Sequence, residues 1–276
     1  MLTACSREPE ATRRSAAAIT VPGASGEFLQ DLRPDGVALT AHVEPAPEDS
    51  DADRRITVTL RRDGAEVPWR LAAEPLLDAR FIPRHAGILA LRADHTLVRL
   101  DAPDAQPVVI DRDVDGPLSL DALGRFVAYV RGEVPEVRAY RADLATGAVT
   151  EVAPTLAPVW CPALSPDGSE VVLVASVDGA PGLFRVPVGG TPARVTVPAG
   201  AALPEGPSAP MVFGDALVFE DARGLRTLSL RDGASRLVPG LHHPVLAEGA
   251  ILGQRLGDVS RPTALTTLRA AELAPR

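Results

Sequence analysis

The chain has 276 residues, 28 basic against 36 acidic, and a formal net charge of −8. That balance argues against a nucleic-acid partner, because binding a polyanion needs a basic stripe that displaces counterions. All of the Lys/Arg positions are arginine, and neither Lys nor Asn occurs, which a GC-rich genome explains without appeal to function. No apolar run reaches the roughly 18 residues that a membrane-spanning helix requires, and a length of this order is common for a single all-β domain.

The chain opens on Leu2-Thr3-Ala4-Cys5, which resembles the lipobox of bacterial lipoproteins and makes Cys5 the candidate lipidation site. An export signal ordinarily carries a charged segment and an apolar stretch ahead of the cut, and here only Met1 precedes the box. Ser6 to Ala18 is polar and rich in small residues, as a tether behind an anchor would be. Residues 1–17 therefore read as a lipobox-like start and tether, and 18–276 as one domain. The expected location is the periplasm or outer membrane, lipid-anchored, if the true start lies upstream of Met1, and the cytoplasm otherwise. The other cysteine, Cys161, leaves the domain without an internal disulfide. Beside Trp160 it reads as a small core residue.

A glycine that closes a turn recurs at Gly36, Gly87, Gly124, Gly168, Gly214 and Gly249, at intervals of 35 to 51 residues. Repeats of about 40 to 45 residues between turns mark propeller blades. The first unit reads LRPDGVALTAHV, a long acidic loop, ITVTLR, a turn at Asp63-Gly64 and AEVPWRL. The second reads FIPRHAGILALR, TLVRL and PVVI, and the third LSLDALGRFVAYV and VRAYRADLATGAVTEV.

The fourth unit is the clearest. Ser165-Pro166-Asp167-Gly168 is a four-residue turn, with proline presetting φ and Asp-Gly tolerating the positive φ that follows. Glu170 to Ser176 (EVVLVAS) is a β-branched apolar run too short for a helix and predicts a strand buried on both faces. Asp178-Gly179 breaks it, Leu183 to Val188 forms the next strand, Gly189-Gly190 turns, and Ala193 to Val197 leaves. Pro187 and Pro192 belong at strand ends or on an edge.

SPDG, an apolar strand, a DG loop, LFRV, GG and RVT together resemble the repeat of the TolB-type β-propellers, a WD-like family of periplasmic proteins. The resemblance implies four-stranded blades, the fourth entered by a strand at Val159 to Leu164. It also implies docking of envelope proteins, although only about 25 residues precede the first unit here, where TolB carries an α/β domain.

The fifth unit reads PMVFGDALVFEDARGLRTLSLRDGASRLV and the sixth HPVLAEGAILGQR and TALTTLR, which lacks a fourth strand. A strand at Ile19 to Val21 paired beside Thr263 to Leu268 would close the ring and remove an exposed edge. Pro198 to Pro210 reads as a long inter-blade loop, because the repeat resumes after it. The expected fold is therefore all-β, a six-bladed propeller of four-stranded antiparallel blades closed by the N-terminal strand.

Blade topology puts the loops between second and third strands, and those between blades, on one face. Glu44, Glu48, Asp49, Asp51, Asp53, Glu133, Glu136, Asp178, Asp221 and Asp258 fall there and form the candidate partner-binding surface. A concentrated acidic face speeds encounter with cations and basic partners. An acidic loop surface is equally the ordinary result of a net charge of −8.

Asp111-Arg112-Asp113-Val114-Asp115-Gly116 sets alternate carboxylates before a glycine, as in calcium loops. Asp111, Asp113 and Asp115 are the candidate metal ligands and calcium the candidate ion. The twelfth position is Ala122 where a calcium loop needs a bidentate Glu, so an ordinary acidic loop competes with this reading. No Gly-x-Ser-x-Gly, His-Glu-x-x-His or phosphate-binding glycine loop occurs among these residues. The histidines are His42, His85, His95, His242 and His243, and alternation along an extended segment sets the adjacent pair on opposite faces. The chain reads as a non-catalytic binding platform of the cell envelope for a protein or peptide. A channel-centred hydrolase or lactonase, and a calcium or small-molecule binder, are the alternatives. The membrane enters only through the lipid anchor, and no cofactor is called for beyond the candidate calcium.

Overall fold

A computed structural model describes residues 27–43, 55–205, 209–247, 250–255 and 264–269. Every element among them is a β-strand. The first meander is β1 (Glu27–Leu32), β2 (Ala38–Val43), β3 (Ile56–Arg62) and β4 (Ala65–Val67), and the second is β5 (Leu76–Phe81), β6 (Ile88–Arg92), β7 (Leu97–Leu100) and β8 (Val108–Asp111). Then follow β9 (Val114–Leu120), β10 (Phe126–Arg131), β11 (Arg138–Asp143) and β12 (Val149–Glu151), and after them β13 (Val159–Leu164), β14 (Glu170–Val177), β15 (Ala180–Pro187) and β16 (Ala193–Arg194). The chain ends with β17 (Met211–Phe213), β18 (Ala216–Asp221), β19 (Gly224–Ser229) and β20 (Ser235–Pro239), then β21 (His242–Ala247), β22 (Ala250–Arg255) and β23 (Ala264–Leu268).

Each meander is antiparallel, and the first strands touch in ring order, β1 on β5, β5 on β9, β9 on β13, β13 on β17, with β21 packed against β18 and against β1. That closure makes the arrangement an all-β propeller. The sheets differ in one respect from separate four-stranded units. The first two meanders merge into one eight-stranded sheet through the pair Ile56↔Leu76. Three four-stranded sheets and a three-stranded last sheet follow among the described residues. The closing strand expected at Ile19 to Val21 lies outside the described residues.

The SPDG repeat folds as its residues dictate. Gly168 turns with φ +70°, and β14 behind it buries Val171, Val172, Leu173, Val174 and Ala175 on both faces. The core is distributed round the ring, because every hydrophobic cluster joins two neighbouring meanders. Val98, Ala79 and Phe81 pack with Leu39, Val58 and Trp69; Leu89 and Leu91 with Val127 and Tyr129; Ala128 and Ala139 with Val171 and Leu173. Val172 and Val174 then meet Leu217 and Phe219, Val218 and Leu225 meet Ile251, and Val245 and Leu252 meet Leu29 and Ala38.

Hydrogen bonds from side chain to backbone tie neighbouring meanders as well. Asp31 Oδ2 accepts the Phe81 N–H at 2.8 Å, Asp78 Oδ2 the Leu118 N–H at 3.1 Å, and Ser119 Oγ the Leu164 N–H at 2.9 Å. Glu220 Oε2 accepts the His243 N–H at 3.0 Å. The ring is closed by Gln254, whose Oε1 accepts the Leu29 N–H at 2.8 Å and whose Nε2 donates to the Leu29 carbonyl at 2.6 Å. Neighbouring meanders are thus joined by polar contacts that also satisfy buried backbone groups.

Candidate functional site

The innermost strands carry β-bulges, in β1 between Leu29 and Asp31, in β5 between Leu76 and Asp78, in β13 between Trp160 and Ala163 and in β21 between His242 and Val245. A bulge breaks the strict alternation of side chains and re-aims them. Near the starts of β1, β5 and β21 the re-aimed residues meet at the mouth of the central channel, in a cavity of about 90 Å³ lined by Phe28, Gln30, Asp78, Arg80, Glu220 and His243.

The groups there are heavily engaged. Asp78 Oδ1 accepts from Gln30 Nε2 at 2.6 Å, the Ala79 N–H at 2.8 Å and Arg80 Nε at 3.1 Å. Arg80 also donates to the Gln30 carbonyl at 3.1 Å. Glu220 Oε1 lies 2.8 Å from His242 Nδ1 and Oε2 lies 3.8 Å from His243 Nδ1. The His243 ring stacks on Phe28, with centroids 4.1 Å apart. Burial by itself would raise the Glu220 pKa, but His243, its backbone N–H and His242 outweigh that and hold the carboxyl below its ordinary value. Asp31 sits deeper. Burial pushes its carboxyl up from 3.8 to about 6, against the pull of Arg80 and of the Phe81 and Leu32 N–H groups.

The alternation argument for His242 and His243 fails at this bulge. His243 has φ +43°, the strand turns on itself, and both imidazoles come within reach of one carboxylate. Phe28, Gln30, Asp78, Arg80, Glu220 and Gln254 are absent from the sequence-based site, although FLQDL and LLDARF carried a signal. An acid inside a strand expected to face a channel has to be bonded or functional.

The residues expected at the acidic face fall as follows. Glu133 and Glu136 are exposed in the β10–β11 loop, Asp178 is exposed at the β14–β15 turn, and Asp221 ends β18. These loops emerge on the side of the channel mouth. Glu136 pairs with Arg138 at 2.8 Å and Asp221 with Arg226 at 2.6 Å. Glu44, Glu48, Asp49, Asp51, Asp53, Asp258 and Cys5 lie outside the described residues.

Asp111, Asp113 and Asp115 diverge. Asp111 Oδ2 accepts from the Tyr129 hydroxyl at 2.6 Å and from Arg131 at 2.8 Å, while Asp115 lies 2.8 Å from His95 Nδ1. Asp113 is exposed with φ +55°. A cation shared by the three would have to displace Arg131 and His95, and among the described residues no three His, Cys, Asp or Glu side chains are grouped to hold a metal. Cys161 is buried at its bulge, where burial pushes the thiol up to about 12.

Comparison with solved structures matches this ring. A TolB-type protein of Agrobacterium tumefaciens superposes with a TM-score of 0.56 at 17% identity, over 77% of this chain and 80% of that one. The likeness is one of fold, a β-propeller. A chain of a nidogen/laminin complex gives a TM-score of 0.53 at 15% identity, over 80% of this chain and 92% of that one. A gluconolactonase-type protein gives 0.51 at 13% identity, over 89% and 90%. Likenesses at these identities establish the β-propeller fold and leave function to the site. No protein-family model and no curated protein sequence matches the chain.

Proposed function

We propose that this propeller is a non-catalytic binding platform of the bacterial envelope that docks a protein or peptide with basic groups through the face around its channel mouth. The observation that carries the reading is the engagement of the mouth. Asp78 and Glu220 accept hydrogen bonds from backbone N–H groups and neighbouring side chains, so they hold the ring rather than stand ready as acid or base. The exposed carboxylates of Glu133, Glu136 and Asp178 surround a rigid frame, and loops on such a frame supply specificity. Six blades, one per meander, with the last completed by Ile19 to Val21, and an acylated Cys5 belong to the same proposal. They rest on the repeat, the Leu2-Thr3-Ala4-Cys5 box and the TolB-type resemblance. Calcium at Asp111, Asp113 and Asp115 is a lesser proposal, resting on their spacing.

The test is cross-linking in native cells, with the N-terminal peptide and the captured proteins read together by mass spectrometry. We expect an acylated Cys5 and one enriched envelope partner. Capture should weaken with salt, as screening of exposed charges requires, and should fall in the Glu133→Gln, Glu136→Gln, Asp178→Asn variant. An intact Met1 would remove the anchor, and capture indifferent to salt and to the triple variant would remove the acidic docking face.

One observation favours a second reading, a channel hydrolase: His243, Glu220, Arg80 and Asp78 line one cavity. Lactone hydrolysis that is abolished by His243→Gln would put that reading first.

A further inference from the structure

On the face opposite the channel mouth, the tight turns of the second, third and fourth meanders close on one another. The β9–β10 turn meets its neighbours on both sides. A Cβ on Gly124 would lie 2.4 Å from the Pro83 carbonyl oxygen, and the Ala122 N–H donates to the Pro166 carbonyl at 2.9 Å. Arg125 donates to the Asp167 carbonyl at 2.7 Å, and a Cβ on Gly168 would lie 2.7 Å from the Phe126 ring. The next junction differs. The β17–β18 hairpin turns on Gly214 and Asp215 alone, and nothing stands within 4 Å of a Cβ placed on Gly214. A two-residue turn is too short to reach the four-residue turn at Ser165 to Gly168, and a cleft of about 380 Å³ opens between the fourth and fifth meanders.

Its floor is apolar, made by the buried side chains of Val172, Val212 and Leu230. Its rim carries Asp167, Glu170 and Asp215. Two of these carboxylates are already matched by guanidinium groups: Arg185 lies 2.5 Å from Glu170 Oε2, and Arg231 pairs with Asp215. Among the described residues no cation is matched to the Asp167 side chain. Its Oδ1 accepts from Ser165 Oγ, Ser169 Oγ and the Ser169 N–H at 2.7, 2.7 and 3.1 Å, and those bonds hold its pKa down to about 2, so it is ionised at any physiological pH.

We propose that this cleft binds a lysine side chain of a partner polypeptide, its alkyl stem on Val172, Val212 and Leu230 and its ammonium on Asp167. Charge complementarity selects a cation, and the apolar floor selects a stem. The one carboxylate without a guanidinium has a single oxygen left over. That suits the point charge of an ammonium better than the planar fork of an arginine, which is strongest when bidentate. The chain contains no lysine, so neither one of its own segments nor a second copy can supply this group. The site is independent of the proposed docking face on the other side of the ring, and either can fail without the other.

The test is a titration of the full chain followed through the methyl resonances of Val172, Val212 and Leu230. The probes are Nα-acetyl-lysine N-methylamide and its norleucine, arginine and glutamate counterparts. We expect saturable shifts with the lysine probe, binding about fivefold weaker for the norleucine probe, weaker binding for arginine and none for glutamate. Asp167→Asn should reduce lysine affinity about fivefold. Because Asp167 also braces its turn, Asp215→Asn on the exposed hairpin serves as the second variant, expected to weaken the lysine probe about twofold with the fold intact. Absence of saturable shifts, norleucine or arginine bound as tightly as lysine, or an affinity unmoved by both substitutions would overturn the assignment.

Discussion

At the scale of single residues, the informative positions are polar groups placed where a strand should be apolar. Asp31 is one. Its carboxyl is partly buried and has a pKa near 6 in place of 3.8, so the folded chain binds a proton at a pH where the unfolded chain does not. Stability from this group therefore rises as the pH falls from 7 through 6 toward 4, and the charged form is the costly one at neutral pH. The interval between 3.8 and about 6 corresponds to roughly 3 kcal/mol. Urea unfolding at pH 7 and pH 5 should show nearly half of this gain, about 1.3 kcal/mol, in the native chain and lose most of it in Asp31→Asn. An equal pH response in both would mean that the Phe81 and Leu32 hydrogen bonds keep the carboxyl ionised. The acid inside FLQDL signalled that Asp31 needs a partner, but nothing local says that the partner is β5.

At the scale of elements, the turns were legible and the bulges were not. Ser165-Pro166-Asp167-Gly168 specifies its own conformation, and β13 occupies Val159–Leu164, the span its residues suggest. A bulge is a property of two paired strands, decided by register against a partner far along the chain, and so His242-His243 was misjudged from alternation alone. The acidic positions at Glu133, Glu136 and Asp178 followed from topology, whereas the mouth at Phe28, Asp78 and Glu220 needed three separate meanders brought together. Turn glycines also differ in what surrounds them. Gly124 and Gly214 both have φ above +60°, yet only Gly124 faces a backbone oxygen at 2.4 Å from an added Cβ. Gly214→Ala should cost about 1 kcal/mol, the strain of a left-handed alanine, while Gly124→Ala should cost about 3 kcal/mol or more because backbone must also move. Thermal melts of the two variants compare them directly. Equal losses would show that the junction at Pro83 yields easily.

At the scale of the whole molecule, the repeat pointed to a ring and the Gly-to-Gly intervals set its pitch, but the closure through Gln254 did not show. Gln254 sits in ILGQR with no local reason to be singled out, and its role exists only because the last meander returns to the first. The links that run through Asp31, Asp78, Ser119, Glu220 and Gln254 share a direction: a side chain of one meander accepts from the backbone N–H of the next, and the last accepts from the first. Ser119→Ala should therefore speed amide exchange at Leu164, whose N–H loses its acceptor at a cost of about 1–3 kcal/mol, while amides of β9 itself change little. Exchange raised equally in both would show that the link is shared rather than handed on. Built this way, the row from the fifth meander round to the fourth has a sense of rotation, like clasped hands in which each holds the wrist of the one ahead; among the described residues no such grip joins the fourth meander to the fifth. A lesion in any grip is felt by its successor before its owner, so the position of a fault and the position of its symptom stand one blade apart.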